Sequence, residues 1–152
     1  MKASGKNISS SKKLEKDNVS EQTRDIASDL SRLGSFDEIL EYLITYVTQT
    51  LEAERGSLFL HDPAAHQLYT RVALGNLSRE IRIDEQSGIA GWVFMNAEAT
   101  IVNTPYKDER FNKEVDERTG YQTKSIICVP IFSTGDIPIG VLQVLNKQTG
   151  RF

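Results

Sequence analysis

Near Glu52 the spacing of apolar side chains changes period, and that change constrains the fold more than any other feature of the chain. Upstream, Phe36, Ile39, Leu40, Leu43, Ile44, Val47 and Leu51 recur at intervals of three and four, one face of an α-helix reaching to about Glu52. Ser35 with Glu38 three residues later supplies a capping box to open it. Downstream the helical period is gone. Residues 55–61 and 67–74 are short apolar-rich runs parted by Asp62-Pro63-Ala64-Ala65-His66, which predicts a hairpin. Ile81 and Ile83 alternate with charges over 80–84, a half-exposed strand. Residues 123–132 and 137–146 flank Ser133-Thr134-Gly135-Asp136 and predict a second hairpin.

The segment between the hairpins is mixed. Residues 88–95 are too densely apolar for a surface strand and predict a buried helix, and 100–103 a brief strand. A loop over 104–111 leads to a short polar helix over 112–119, ended by Gly120. Parallel strands would each need a crossover of about a dozen residues, so clustered hairpins imply antiparallel pairing. The fold class is therefore α+β, a single antiparallel sheet of about six strands flanked by helices.

Upstream of Ser35, Ile26, Leu30 and Leu33 form a helical stripe over 21–33 that Gly34 stops. Residues 1–20 hold only Met1, Ala3, Ile8, Leu14 and Val19 as apolar residues and read as a disordered polar tail or linker. That tail carries five lysines against Glu15 and Asp17, leaving 13 basic and 19 acidic residues in 21–152, a net −6. An acidic domain argues against a nucleic-acid-binding face. No stretch approaches the apolar length of a membrane span, and the chain reads as a cytoplasmic one.

The chemistry the residues allow is limited. Cys128 is the single cysteine, so neither an internal disulfide nor a Cys-rich zinc site can form. It stands in an apolar run and reads as a buried small hydrophobe. His61 and His66 lie five apart around a turn and read as surface or structural residues rather than metal ligands. Neither Gly-rich nucleotide signature occurs, and no catalytic constellation or metal site is expected. Anion binding is open, because Ser87-Gly88-Ile89-Ala90-Gly91 would leave backbone N–H groups unobstructed at a helix amino end.

Gly88-Ile89-Ala90-Gly91-Trp92-Val93, Asn103-x-Pro105, the run from Phe111 through Asp116 to Thr123, Ile126–Ile131, and Gly140–Lys147 followed by Phe152 together resemble a GAF domain. The flavour is similar to the cyclic-nucleotide-binding GAF domains of phosphodiesterases and cyanobacterial adenylate cyclases, over residues 21–152. The resemblance implies a regulatory sensor rather than an enzyme, with a cyclic nucleotide, cAMP before cGMP, as ligand and no other cofactor. It implies a pocket with Arg55, Ser57, Leu74 and Gly75 on the first hairpin and the amides of Ile89 and Ala90 near the ligand. Asp116, Thr119 and Thr123 would bond base or ribose from a lid over 104–120, and Gln143 stands where phosphodiesterase relatives often carry a carboxylate. Thr119 and Thr123 also have local readings, as a helix cap and a strand residue. Asn146, Lys147 and Phe152 would be structural signature residues, with Lys147 lacking a later Asp partner because the domain reads as truncated beyond Phe152. The Ile26–Leu30–Leu33 stripe leads us to expect a homodimer through the N-terminal helices, and a ligand-free dimerisation or signal-relay module is the alternative.

Overall fold

The computed structural model describes residues 7–74 and 80–152. Helices α1 (Asn7–Leu30), α2 (Phe36–Thr50), α3 (Gly88–Asn96) and α4 (Lys113–Thr119) accompany strands β1 (Ala53–Asp62), β2 (Gln67–Ala73), β3 (Arg82–Asp84), β4 (Thr100–Val102), β5 (Ile126–Phe132) and β6 (Pro138–Lys147). The six strands form one sheet in the order β3-β2-β1-β6-β5-β4, and every pairing is antiparallel. The expected α+β class, hairpins and buried helix are all present.

Two compact units divide the chain, Met1–Ile39 and Leu40–Phe152. In the first, α1 is helical from Asn7, which corrects the expected disorder for residues 7–20. Core burial was the wrong criterion there, because it leaves out helix propensity, which Leu14, Glu15 and the lysines favour. The helix closes at Leu30 rather than Leu33. Arg32 and Leu33 donate to Asp29 and Leu30 carbonyls in the tighter i, i+3 pattern. Ser35 and Glu38 form the expected capping box: the Ser35 N–H donates to Glu38 Oε2 (3.0 Å) and the Glu38 N–H to Ser35 Oγ (3.2 Å).

In the second unit the two ten-residue strands β1 and β6 lie side by side at the centre of the sheet. Strand alternation sends Phe59, Cys128 and Val141 to one face, where they pack with Ile89, Ala90, Val93 and Phe94 of α3 into the core. On the other face α2 comes so close to β1 that a Cβ at Gly56 would overlap Thr48 Oγ1. The Thr48 hydroxyl donates instead to the Ile44 carbonyl (2.7 Å). Strand β5 starts at Ile126, not at Thr123. The N–H groups of Thr123, Lys124 and Ser125 are claimed by the side chains of Asp116 and Asn146, so they cannot enter a ladder.

Gly140 offers the plainest test of this packing. A Cβ there would overlap the carbonyl oxygen of Phe59 on the adjoining central strand, which is backbone and cannot step aside. Gly140→Ala is expected to cost about 2–4 kcal/mol by overpacking. The loss should appear as a lower urea midpoint at an unchanged slope; a shift below about 0.5 kcal/mol would contradict so close an approach of the two strands.

Candidate functional site

The floor of the site follows from strand alternation. Arg55, Ser57 and Phe59 fall on the same face of β1 as Gln143 and Leu145 of β6, with Arg55 opposite Leu145 and Ser57 opposite Gln143. Ile81, Ile83 and the first residues of α3 form one wall, and Phe111 to Thr123 form the other and the roof. They enclose a cleft of about 750 Å³ counted with its open mouth, a size usual for small-molecule sites. Arg55 is the one basic side chain among the described residues that line it.

Helix α3 turns its amino end into this cleft. Gly88 has φ +71°, a left-handed conformation that lets the chain swing from the loop into the helix. The first intrahelical bond runs from the Gly91 N–H to the Ser87 carbonyl (3.0 Å), so the N–H groups of Gly88, Ile89 and Ala90 precede it. Ser87 makes no side-chain cap. Its hydroxyl accepts from Asn112 Nδ2 (2.9 Å) while Asn112 Oδ1 accepts from the Glu114 N–H (3.0 Å). One amide side chain thus caps α4 and ties it to the start of α3.

Asp116 is buried and fully employed. Its Oδ2 accepts from the Tyr106 hydroxyl (2.8 Å) and the Thr123 N–H (2.7 Å), and its Oδ1 from the Thr123 hydroxyl (2.7 Å). The bond to Asp116 also pushes the Tyr106 phenol above its usual range. Gly120, at φ +68°, ends α4 and returns its N–H to the Asp116 carbonyl (2.8 Å), so Asp116 joins the end of α4 to Tyr106 and to the approach to β5. The Thr119 hydroxyl donates within its own helix, to the Val115 carbonyl (2.8 Å).

Of the residues singled out in the sequence, Arg55, Ser57, Ile89, Ala90, Asp116, Thr119, Thr123 and Gln143 line this single cleft. Leu74 does not. Ser57 pairs with Ala73, so Leu74 falls on the opposite face, and its N–H donates to the Gly56 carbonyl (2.8 Å). Gly75 lies outside the described residues. Tyr121 lines the cleft without having been singled out: the Arg55 guanidinium lies 3.7 Å over its ring, and its hydroxyl donates to Glu54 Oε2 (2.9 Å). Burial, then that bond to Glu54, raise the Tyr121 phenol far above its usual range. Bonds from Asn146 and Tyr121 hold the Glu54 carboxyl low. The spacing Thr119-Gly120-Tyr121 hinted at a turn but at no partner for the ring, which sits 67 residues from Glu54.

The signature residues stand outside the lining of the cleft and are taken up in hydrogen bonds. Asn146 is buried at φ +58°; its Oδ1 accepts from the Lys124 and Ser125 N–H groups (2.6 and 3.3 Å), and its Nδ2 donates to Glu54 Oε2 (3.0 Å) and the Gln122 carbonyl (2.9 Å). Lys147, expected to lack a later Asp, finds other partners: Nζ donates to the Leu51 carbonyl (2.7 Å) and meets Glu52 Oε2 (3.2 Å) at the end of α2. The Phe152 N–H donates to Asn103 Oδ1 (3.2 Å). Among the described residues no group of three His, Cys, Asp or Glu side chains is placed to hold a metal ion, and no helix is long and apolar enough to cross a membrane.

Residues 35–152 match the GAF domain family. The chain is 39% identical over 130 residues to "Probable 3',5'-cyclic phosphodiesterase pde-5" of Caenorhabditis elegans, covering 78% of this chain and 18% of that protein. It is 35% identical over 154 residues to "Dual 3',5'-cyclic-AMP and -GMP phosphodiesterase 11" of Drosophila melanogaster, covering 90% of this chain and 10% of that one. This chain therefore spans less than a fifth of the length of these relatives. Among solved structures, the GAF domain of an Acinetobacter phosphoenolpyruvate-protein phosphotransferase shares the fold with a TM-score of 0.72 at 21% identity, over 85% of this chain and 77% of that one.

Two outcomes test the site as described. Asp116→Ala strands the buried donors of Thr123 and should cost about 2–4 kcal/mol, read by urea denaturation; a neutral effect would mean that Asp116 does not fasten the roof. Cys128 is wholly buried, and burial pushes its thiol up to about 12, so it stays protonated at neutral pH. It should resist iodoacetamide at pH 8 in the native protein and react once urea unfolds it.

Proposed function

The chain belongs to the GAF domain family, a family of regulatory modules, and from that premise we propose that its cleft takes up a cyclic purine nucleotide and signals its occupancy to an output carried elsewhere in a larger protein. The observation that carries this reading is the convergence of the amides that precede α3's first intrahelical bond, the α4 roof and the Ser57–Gln143 floor on one cleft. A cyclic phosphate is a monoanion, and backbone N–H groups at the positive end of a nine-residue helix suit it without a lysine. Ile81, Ile83 and Phe111 offer apolar surface to the flat purine. Gln143 carries both an amide donor and an acceptor, so it can answer the edge of either adenine or guanine. That favours neither base over the other, and the sequence-level preference for cAMP becomes a proposal of cAMP and cGMP together. The relatives include a cGMP-specific phosphodiesterase and a dual cyclic-AMP and -GMP phosphodiesterase, which supports the same pair of nucleotides.

Asn112 and Asp116 give the signal a route. Both hold the roof to elements that would touch the nucleotide, so a bound ligand adds contacts across a joint now kept by a few polar bonds. The second reading, a ligand-free dimerisation or relay module, draws on α1. It belongs to the first compact unit, where Ile26 and Leu30 on the helix and Leu33 just after it are only half-buried. Sedimentation of a chain beginning at Ser35 separates the readings, since pairing through α1 would be lost while nucleotide binding would persist.

Calorimetry with cAMP, cGMP and the linear monophosphates tests the proposal. A nucleotide at 100 times its dissociation constant should add about 2.7 kcal/mol to stability. No heat and no thermal shift with any cyclic nucleotide at millimolar concentration would refute it. Gln143→Glu replaces the amide by a pure acceptor, which can take two donors from guanine but only one from adenine. The cGMP to cAMP affinity ratio should rise by about tenfold or more; an unchanged ratio would mean that residue 143 does not face the base.

A further inference from the structure

Glu85 lies outside the cleft, three residues before the first helical turn of α3, and two histidines grip it. His61 Nε2, near the end of β1, is 2.6 Å from Glu85 Oε2, and His66 Nδ1, in the β1–β2 turn, is 3.1 Å from Glu85 Oε1. The Glu85 N–H also donates to the His66 carbonyl (3.0 Å). His66 is at φ +53°, a conformation that a non-glycine residue adopts at some cost and that here aims its ring at Glu85. The His61 ring in turn packs on Phe94 in α3, with ring centroids 4.4 Å apart.

The backbone of this loop is pressed against the helix it precedes. A Cβ at Gly91 would lie 2.6 Å from the Gln86 carbonyl carbon and 2.9 Å from the Glu85 carbonyl oxygen, so the loop cannot move without moving the first turn of α3. His61 therefore touches the helix directly and through Glu85 at once. The side chains of His61 and Glu85 are only 20% and 16% exposed, while His66 is open to solvent at 75%. The other charged groups around the cluster are occupied: Asp62 accepts from Arg82 and from the Ala64 and Ala65 N–H groups, Glu80 holds Arg82 from the far side, and Asp84 accepts from the Gln86 N–H. From α3 the cluster meets Phe94, which carries no charge.

We infer that Glu85, clamped by His61 and His66, is the positioning residue that sets the aim of α3's amino end into the cleft. The consequence for ligand affinity rests on the proposed nucleotide site; the clamp itself does not. The carboxylate acceptor makes both bonds charge-assisted ones. Hydrogen bonding by His61 and then by His66 keeps the Glu85 carboxyl below its usual range. A carboxyl lowered in this way contributes stability above its ordinary range and loses it only as the pH falls through the lowered value.

The experiment compares the full chain, 15N-labelled, with Glu85→Gln and His66→Asn at one pH, following the Ile89 and Ala90 amides and the affinity for cGMP. In Glu85→Gln those two amides should shift while the amides of β1 and β6 keep their wild-type positions, and cGMP should bind about two- to fivefold more weakly, the span of a partly exposed ion pair. His66→Asn, an exposed position where asparagine accepts the left-handed backbone, should shift the same amides by less and leaves the core intact should Glu85→Gln fail to fold. Ile89 and Ala90 amides that keep their wild-type positions in both variants would overturn the clamp. Absence of cGMP binding to the wild type would overturn the nucleotide reading alone, with the amide shifts still deciding for or against the clamp.

Discussion

The pairing of β1 with β6 carries the rest of the structure. It joins Ala53 to Lys147 and Leu60 to Gly140, so a contact between opposite ends of the sheet unit makes the centre of the sheet. Closing so long a loop costs entropy that only a well-matched interface repays. The match is visible at Gly140, which lets the two backbones approach, and at Leu58, Phe59, Val141 and Val144, which are all buried. Everything functional is referred to this pair. The cleft floor is two of its cross-strand couples, Arg55 with Leu145 and Ser57 with Gln143. Asn146 and Lys147 then extend β6 into polar contacts that hold Glu54, the approach to β5 and the end of α2.

Away from that centre, apolar packing gives way to single polar fasteners. The roof over the cleft contains one short helix, and its attachments are Asn112 to Ser87, Asp116 to Thr123 and Tyr106, and Tyr121 to Glu54 and Arg55. A segment held by few contacts opens at lower free energy than the strands beneath it. That difference suits a site whose cover must part to admit a ligand and close again. It also explains why Asp116, though buried and acidic, does not behave as a free acceptor in the cleft. Its oxygens already satisfy three donors, and a ligand that claimed one would have to displace Tyr106 or Thr123.

What could be read in the sequence was whatever shows as a period or a local cap. The amphipathic repeat of α2, the Ser35–Glu38 box, the two hairpins and the dense run of α3 each depend on residues within a few positions of one another. Eight proposed site residues also fall together in the cleft, because strand alternation and a family resemblance both act on short segments. The failures are long-range or propensity effects. Lys147 meets Leu51 and Glu52 from some 95 residues away, and Tyr121 meets Glu54 from 67, neither visible as spacing. The start of β5 slipped from Thr123 to Ile126 because side-chain acceptors on Asp116 and Asn146 outbid the ladder. Leu74 was lost by a single step of alternation beyond Ala73. Helix α1 begins at Asn7, in a stretch with too few apolar residues for a burial argument to expect structure.

The charge of the domain then acquires a sense. Residues 21–152 carry a net −6, yet the proposed ligand is an anion. A lysine-lined cleft would attract phosphates of every kind, whereas oriented amides at one helix end act over about a turn and only on a group delivered to them. The acidic surface repels polyphosphates by the same electrostatics that costs a monoanion little. Arg55 does not undo this, since its guanidinium is spread over the Tyr121 ring beside Glu54 rather than presented as a bare charge. Selection is thereby left to shape, to the donors and acceptors of Ser57 and Gln143, and to the direction in which α3 points. The last of these is the quantity that Glu85 and its two histidines hold from outside the cleft.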